Sequence, residues 1–294
     1  MSKSHLLVIN THNRFIDFTR LMTHVKSFDY IFDSVLIISD SSIDYFFKVK
    51  QYVNDLFKGV DQLIEFVNLN NVGGASARNY IIEKNIYKKY DFISYCDDDD
   101  IPLKEKFISA EKYILQNPNC IGYSCSYYRD YGLIGKNILF NKSKIYLNDI
   151  VKNNNIGGFS FVTLNTVFLD HSCLIPNELK SNQDWFLWIK LLFDNESNFF
   201  FKDSLVGLIY NDEKTKDRLT NKPHNIKSTY DFYILCKKKF DIELSSALSY
   251  FYYKVIKSLT FMNFVKIIFR NRKHLNIKTK HIVSLLKNFI VKII

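Results

Sequence analysis

The sequence lacks both paired cysteines and a targeting segment. Its five cysteines are scattered at positions 96, 120, 125, 173 and 236, and no two of them have CxxC spacing. The amino terminus leads directly into an apolar run at residues 6–9. Disulfides persist in oxidising compartments, and secreted proteins carry a cleavable leader. We therefore expect free thiols and a cytoplasmic location.

Signatures of several ligand-binding and membrane classes are also missing. The pair Gly73-Gly74 stands in neither a GxGxxG fingerprint nor a phosphate-binding loop with its lysine. No stretch has the roughly eighteen uncharged apolar residues of a membrane-spanning helix. The glycine pair alone is therefore weak support for a nucleotide site, and no spanning helix is predicted.

An excess of positive charge is lacking over most of the chain. The net charge is +10, but the segment from residue 236 to the end holds thirteen Lys/Arg and two acids. The first 235 residues hold 27 basic and 28 acidic side chains. A nucleic-acid-binding domain carries a basic surface of its own. The nearly neutral main domain therefore argues against nucleic acid as a partner.

The first hundred residues do contain a clear alternation of strands and helices. Hydrophobic residues make up 47% of the 294 residues, enough for a large buried core. Predicted strands, with helical spacing between them, are the apolar runs 6–9, 34–38, 63–69 and 91–96. A polar cluster follows each strand, in order residues 10–14, 39–42, 70–79 and 97–100. The pattern predicts a parallel α/β sheet with all four clusters at one edge.

Four consecutive aspartates, Asp97 to Asp100, end the apolar run of the fourth strand. Adjacent carboxylates repel one another, and a divalent ion with oxygen ligands is the usual compensating charge. The other interpretation is a solvated acidic turn before a helix started by Pro102. Because the other three clusters are predicted at the same edge, a Mg²⁺ or Mn²⁺ site is favoured.

The alternation breaks down after Pro102. A helix at 105–115 is followed by two weaker strand patterns at 120–128 and 135–140. A turn-rich hinge at 153–158 then precedes a strand-like segment at 160–169. Residues 181–192 predict a helix with a Ser or Asn cap and Asp184 in its first turn. A first-turn Asp is often only a partner of the helix dipole. Spacing alone therefore leaves a catalytic role for Asp184 open.

One or two buried strands at residues 199–210 precede a polar loop at 211–224 that contains Arg218. Such a loop could close over a bound nucleotide. A disordered surface loop is equally compatible with its composition.

Five segments together resemble the family 2 glycosyltransferases of the GT-A fold, which invert the anomeric carbon and use nucleotide sugars. The resemblance covers residues 6 to about 233. In the family's order, the segments are Val8-Ile-Asn-Thr-His-Asn-Arg14, residues 35–44, Asn71-Val-Gly-Gly-Ala-Ser-Ala-Arg-Asn79, Asp97-Asp98-Asp99, and Gln183-Asp184-Trp185 preceded by Gly157-Gly-Phe-Ser160. His12, Ser39 and Gln183 depart from the family's usual residues. These departures affect contacts to the base of the nucleotide more than the reaction.

The resemblance implies a fold, a reaction and a set of site residues. The fold is α/β of the GT-A type over residues 1–235, with a nucleotide-binding half at 1–103 and an acceptor half at 104–235. The donor is a nucleotide-diphosphate sugar, most often UDP-linked. Asp184 is the catalytic base, and Asp99 with Asp97 binds Mn²⁺ or Mg²⁺. The residues assigned to the nucleotide are Thr11, Asn13, Arg14, Asp40, Gly73, Arg78, Asp97, Asp98 and Arg218.

Two other functions remain open at this point. One is a non-catalytic glycan-binding or membrane-surface-binding protein on a decayed transferase scaffold. The other is a sugar nucleotidyltransferase, although its Gly-rich, basic phosphate-binding signature is absent. Metal-dependent release of UDP distinguishes the transferase from the first, and a sugar phosphate product would indicate the second.

Residues 236–294 predict a basic, amphipathic, helical tail. Leu285, Phe289 and Ile293 lie on one face of a terminal helix, with Lys287 and Lys292 off that face. Such a helix suits the anionic cytoplasmic face of an inner membrane, where a lipid-linked glycan acceptor could be met. The other interpretation is a helical cap on the catalytic domain or a homodimer contact. By resemblance, the setting is synthesis of lipopolysaccharide, capsule or another cell-surface polysaccharide.

Overall fold

The computed structural model describes residues 3–28, 32–130, 135–151, 153–211, 225–242 and 244. Within these residues, ten strands form a single sheet with helices packed on it. The elements of the first half are β1 (His5–Thr11), α1 (Phe15–Lys26), β2 (Ser34–Ser39), α2 (Ile43–Leu56), β3 (Ile64–Asn68), α3 (Gly74–Glu83) and β4 (Phe92–Asp97). Their order along the chain is the alternation that the sequence predicts.

The first half of the sheet is parallel, in the order β3-β2-β1-β4. Every residue of β2 is buried, and β1 is buried except for Asn10, because helices cover both faces of this part of the sheet. The carboxyl ends of β1, β2 and β4 therefore lie side by side. This arrangement confirms the predicted α/β fold and places the polar loops along one edge.

The second half of the sheet mixes parallel and antiparallel pairs. Its elements are β5 (Asp100–Pro102), α4 (Lys104–Gln116), β6 (Cys120–Asp130), β7 (Gly135–Ile138), β8 (Ser143–Ile145), α5 (Leu147–Ile150), β9 (Val162–Asn165), α6 (Gln183–Asp194), β10 (Phe199–Asn211) and α7 (Asn225–Phe240). β9 pairs antiparallel with both β4 and β6 and so joins the two halves. β6 and β10 are parallel to each other.

The strand predicted at residues 160–169 is shorter in the structure. Only Val162–Asn165 is extended, and a 3₁₀ turn lies on each side, at Phe159–Phe161 and Thr166–Phe168. Two side-chain bonds favour these turns. The ammonium group of Lys106 donates to the Ser160 carbonyl at 2.6 Å, and the Asn165 side chain accepts from the Val167 backbone N–H.

Helix α6 packs its predicted apolar face into the core. Trp188 is fully buried, and its indole N–H donates to the Gly157 carbonyl at 2.8 Å. Trp185 donates to the Ile150 carbonyl at 2.9 Å. A buried indole keeps its N–H satisfied while the ring fills core volume. Both tryptophans thus fix the start of α6 against the 150–158 segment.

All five cysteines are free, as expected, and all five are buried. The predicted boundary between residues 235 and 236 falls inside α7. From residue 245 onward the predicted tail lies outside the described residues, and so does Arg218. Among the helices that the structure does describe, none is both long enough and apolar enough to cross a membrane.

Candidate active site

Two adjoining clefts open at the edge where the parallel strands end. The first cleft has a volume of about 430 Å³, and its wall includes Thr11, Asp40, Gly73 and Asp98. The second has a volume of about 450 Å³, and its wall includes Asp97, Asp99 and Asp184. The structure therefore brings all four predicted polar clusters together. The residues that line both clefts are Arg14, Arg78, Asp97, Lys180 and Gln183.

Asp40, after β2, holds the turn that starts α3. Its two carboxylate oxygens accept from the backbone N–H groups of Val72, at 2.6 Å, and Gly73, at 2.8 Å. Gly73 has a φ of +98°, a conformation that favours glycine. Asp40 and Gly73 are thus linked to each other on the wall of the first cleft, where the sequence places both.

Asp98 is buried, with 4% of its surface exposed, and it fastens β4 to the loop after β1. One carboxylate oxygen accepts from the Thr11 hydroxyl at 2.9 Å and from the His12 backbone N–H at 3.1 Å. Burial raises the pKa of Asp98 to about 7, although the charge of Arg14 opposes this shift. Asp98 therefore mainly holds the loop after β1 in place, and only a small part of its surface borders the first cleft.

Asn13 is a predicted site residue that the fold leaves outside both clefts. It has a φ of +55°, and its backbone N–H donates to the Ser41 hydroxyl at 3.0 Å. This conformation turns the exposed side chain toward His12 instead of the cleft wall. Asn and Asp enter the left-handed region more readily than other residues with a side chain. The residue type therefore suits the turn itself.

Two arginines form ion pairs with three of the four aspartates in the run. Arg14 contacts Asp98 at 3.1 Å and Asp99 at 2.7 Å. Burial lowers the pKa of Arg14, but the charges of Asp99, Asp98 and Asp97 outweigh it, and the net pKa is raised. Arg78 donates to an Asp97 oxygen at 2.8 Å. The carboxylates are thus held in place by charge as well as by backbone geometry.

Arg78 also connects three elements of the site. Besides Asp97 on β4, its guanidinium donates to the Gln183 side chain at 3.0 Å and to the Gly74 carbonyl at 3.2 Å. The same group lies 4.4 Å from the centre of the Phe159 ring, in cation–π geometry. Arg78 therefore fixes the distance between the aspartates and the start of α6.

Asp184 lies in the first turn of α6, partly exposed to the second cleft. Burial raises its pKa; the backbone N–H of Trp185 and the charge of Arg78 oppose the shift, and Asp97 adds to it. The Asn154 side chain donates to Asp184 Oδ2 at 3.0 Å. The predicted cap is only partly correct. Asn182 occupies the N-cap position but has a φ of +57° and makes no side-chain capping bond.

Asp97 and Asp99 fit a cation that completes its coordination with substrate oxygens. Both side chains line the second cleft, with 35% and 22% of their surfaces exposed. Hard carboxylate oxygens suit Mg²⁺ and Mn²⁺, and Mg²⁺ is often bound by one or two carboxylates together with substrate phosphates. Within the described part of the chain, no three His, Cys, Asp or Glu side chains form a complete metal cluster.

Sequence reasoning missed several residues of the site. Lys180 lines both clefts, and a Cβ atom at Gly73 would lie 4.0 Å from its ammonium group. Ser160 belongs to a segment that the sequence singled out, but its contact was not foreseen: its hydroxyl accepts from the Asp97 backbone N–H at 3.0 Å. The second cleft also has Tyr127, Arg129 and Tyr210 on its wall. The last three lie near the carboxyl ends of the parallel strands β6 and β10. Because the strand patterns in this half of the sequence are weak, these strand ends could not be located from the sequence.

Comparisons with known proteins identify the family and the fold. The sequence profile of glycosyl transferase family 2 matches residues 6–164. No curated protein matches the sequence. Among solved structures, residues 1–349 of TarS from S. aureus, also solved in complex with UDP, align with a TM-score of 0.59 and 16% identity, covering 98% of this chain and 80% of that one.

A second similar structure is the mannosyltransferase PcManGT from Pyrobaculum calidifontis, in complex with GDP-Man and Mn²⁺. It aligns with a TM-score of 0.58 and 9% identity, over 99% of this chain and 86% of that one. At these identities the structural likeness shows the fold alone, and the family follows from the profile match over more than half of the chain. The protein is therefore a glycosyltransferase of the GT-A fold that belongs to glycosyl transferase family 2.

Proposed function

We propose that this glycosyltransferase moves a hexosyl group from a UDP-sugar to a hydroxyl group of a glycan acceptor, with inversion at the anomeric carbon. The observation that carries the proposal is the shared cleft. Asp184 lines the second cleft together with Asp97 and Asp99. Arg14 and Arg78 border both this cleft and the first one. A donor that spans both clefts would place its sugar beside Asp184.

The first cleft is suited to the nucleoside and the start of the diphosphate. Helix α3 begins at Gly74 on its wall, and the N-terminus of a helix favours phosphate groups. Lys180 adds a cation at the junction of the clefts, where the diphosphate of such a donor would lie. A nucleotide-sugar donor is also supported by the neighbours, one solved with UDP and one with GDP-Man.

The chemistry needs two groups on opposite sides of the anomeric carbon, a base for the acceptor hydroxyl and positive charge beside the leaving diphosphate. The acceptor oxygen attacks the anomeric carbon, its proton passes to the Asp184 carboxylate, and the bond to the diphosphate breaks with its electron pair leaving on UDP. In-line displacement inverts the carbon for the same geometric reason as in inverting glycosidases. Asp99 and Asp97 would hold Mn²⁺ or Mg²⁺, which when bound stabilises the negative charge on the leaving diphosphate.

The environment of Asp184 suits a general base. Burial raises the pKa of Asp184 above its ordinary value, which makes the carboxylate a stronger proton acceptor. Arg78 lies close enough to favour the ionised form. The same arginine holds Asp97, so the base and the proposed metal ligand are fixed relative to each other.

The donor class can be tested with a panel of nucleotide sugars. The purified full-length protein is incubated with UDP-glucose, UDP-galactose, UDP-N-acetylglucosamine or GDP-mannose, with and without Mn²⁺ or Mg²⁺, and released nucleotide diphosphate is measured. We expect metal-dependent release of UDP from at least one UDP-sugar. Release of GDP alone, no release at all, or a sugar phosphate as product would each contradict the proposal.

We also propose the cytoplasmic face of an inner membrane as the place of action, with a lipid-linked glycan of a cell-surface polysaccharide as acceptor. The basis is the basic tail, in which eleven net positive charges accompany regularly spaced apolar residues. We expect the full-length chain to sediment with membranes and to be released by high salt. A chain ending near Lys239 should stay in the supernatant. If both forms stay in the supernatant, the proposed membrane contact is wrong.

A further inference from the structure

The turn at residues 153–158 contains Asn154, a residue that has no role in the proposed reaction as described above. Asn154 donates from Nδ2 to Asp184 Oδ2 at 3.0 Å, across thirty positions of the chain. Its Oδ1 accepts from the Gly157 backbone N–H at 3.1 Å. Because that backbone group can only donate, it determines which amide atom is the oxygen. The NH₂ group of Asn154 is therefore the one that faces the carboxylate.

The turn that carries Asn154 is itself held firmly. Gly157 has a φ of +104°, and its carbonyl accepts from the indole of the fully buried Trp188 at 2.8 Å. A Cβ atom at Gly158 would lie 3.9 Å from Asp184 Oδ2. The backbone of the turn therefore borders the carboxylate directly, and the amide of Asn154 has little freedom to move.

From these contacts we infer that Asn154 is a positioning residue for Asp184. It holds Oδ2 on the side of the turn and so orients the carboxylate in the second cleft. A hydrogen bond to the charged form also favours ionisation of the carboxyl group. The inference rests on the proposed function, because it assigns Asn154 a role only through Asp184 as base.

Two charged groups and two sets of neutral donors act on Asp184. Arg78 on α3 favours the ionised carboxylate, and Asp97 on β4 disfavours it. The first turn of α6 contributes backbone N–H groups, and the turn contributes the neutral amide of Asn154. A change at Asn154 therefore alters one donor to the carboxylate and leaves both charged neighbours in place.

Asn154→Asp is the decisive variant because it separates two roles of the side chain. The new carboxylate can still accept from the Gly157 N–H. It no longer donates to Asp184 or, at 3.3 Å, to the Gly157 carbonyl, and it adds a like charge beside Asp184. We expect kcat to fall about 10- to 100-fold at neutral pH, with the KM for the donor little changed. The acidic limb of the kcat–pH profile should move upward by about one pH unit or more.

Asn155→Ala is the matched control. Asn155 is the next residue of the same turn, and its side chain donates to the Asp149 carbonyl at 3.2 Å, away from Asp184. We expect its kcat and its pH profile to match those of the unmodified protein. If Asn154→Asp lowers kcat without moving the acidic limb, or leaves kcat unchanged, the inference is overturned.

A second measurement needs no substrate. In the double variant Asn154→Asp with Asp184→Asn, donor and acceptor exchange places and the hydrogen bond can form again. We expect the four proteins of this cycle, unfolded in urea at neutral pH, to show a coupling of about tenfold or more in the unfolding equilibrium constant. A coupling below about twofold overturns the inference whether or not a donor sugar is turned over.

The two measurements also separate this inference from the proposed function. If Asp184→Asn remains active, Asp184 is not the base and the proposed mechanism fails. If Asp184→Asn is inactive while Asn154→Asp behaves like the unmodified protein, the mechanism stands and only the role of Asn154 is wrong.

Discussion

Replacing Asp184 by Asn is expected to lower kcat for glycosyl transfer by about 10²- to 10⁴-fold, the range that a general base contributes. Asn has nearly the same shape but cannot accept the proton of the acceptor hydroxyl. The first cleft is untouched by the change, so the affinity for UDP should stay within about twofold. Calorimetric titration with UDP, together with an assay of transfer, measures both quantities.

Asp194→Asn provides the control for this variant. Asp194 lies at the other end of the same helix and pairs with Lys190, outside both clefts. Its transfer rate should match that of the unmodified protein. Substantial turnover by Asp184→Asn would remove Asp184 from the mechanism and require another base.

The pH dependence of stability gives Asp184 a second signature. Because burial raises its pKa in the folded state above the unfolded value, the folded protein binds this proton more tightly. Its carboxylate therefore destabilises the fold as the pH rises from the unfolded pKa through the folded one, and contributes nothing below both. Asp184→Asn should thus unfold at a similar or higher temperature at pH 7.5, with any gain vanishing near pH 3.

Replacing Asp99 by Asn is expected to cost about 10²- to 10³-fold in kcat/KM, because the leaving diphosphate would lose about 3–4 kcal/mol of charge stabilisation. The variant keeps the size of the side chain but loses a hard, charged ligand. Binding of Mn²⁺ in the presence of UDP, followed by electron paramagnetic resonance, should weaken at least about tenfold. This second measurement does not depend on activity.

Asp91→Asn is a suitable control for the metal experiment. Asp91 lies just before β4, at the end away from the clefts, where it accepts from Lys3 and Ser4. Mn²⁺ binding and transfer should be unaffected by this change. If Asp99→Asn binds Mn²⁺ with UDP as tightly as the unmodified protein, Asp99 is not a metal ligand.

Local pattern was sufficient to predict the first half of the fold. The strands that became β1, β2 and β4 are buried runs of apolar residues, and burial on both faces leaves little polar alternation to confuse the pattern. The edge strand β3 is only partly buried. The parallel topology then requires their carboxyl ends to meet. For that reason the amino-acid sequence alone was enough to assign Thr11, Asp40, Gly73 and Asp98 to one edge of the sheet.

The second half was harder to predict because its local signals compete with tertiary contacts. The strand predicted at 160–169 is cut to four residues by the bonds of Lys106 and Asn165. The loop residue Asn13 turns away from the cleft because the left-handed conformation suits Asn. Neither effect can be read from hydrophobic spacing.

The amino-acid sequence by itself determined the order of the first four strands along the chain, the polar clusters at their ends and the aspartate run. Only the tertiary structure decided which side chains meet. It pairs Arg14 and Arg78 with the aspartates, places Lys180 at both clefts, and sets Asn154 against Asp184. The physical reason is distance along the chain. The bond from Arg78 to Gln183 joins residues 105 positions apart, and no local pattern encodes such a contact.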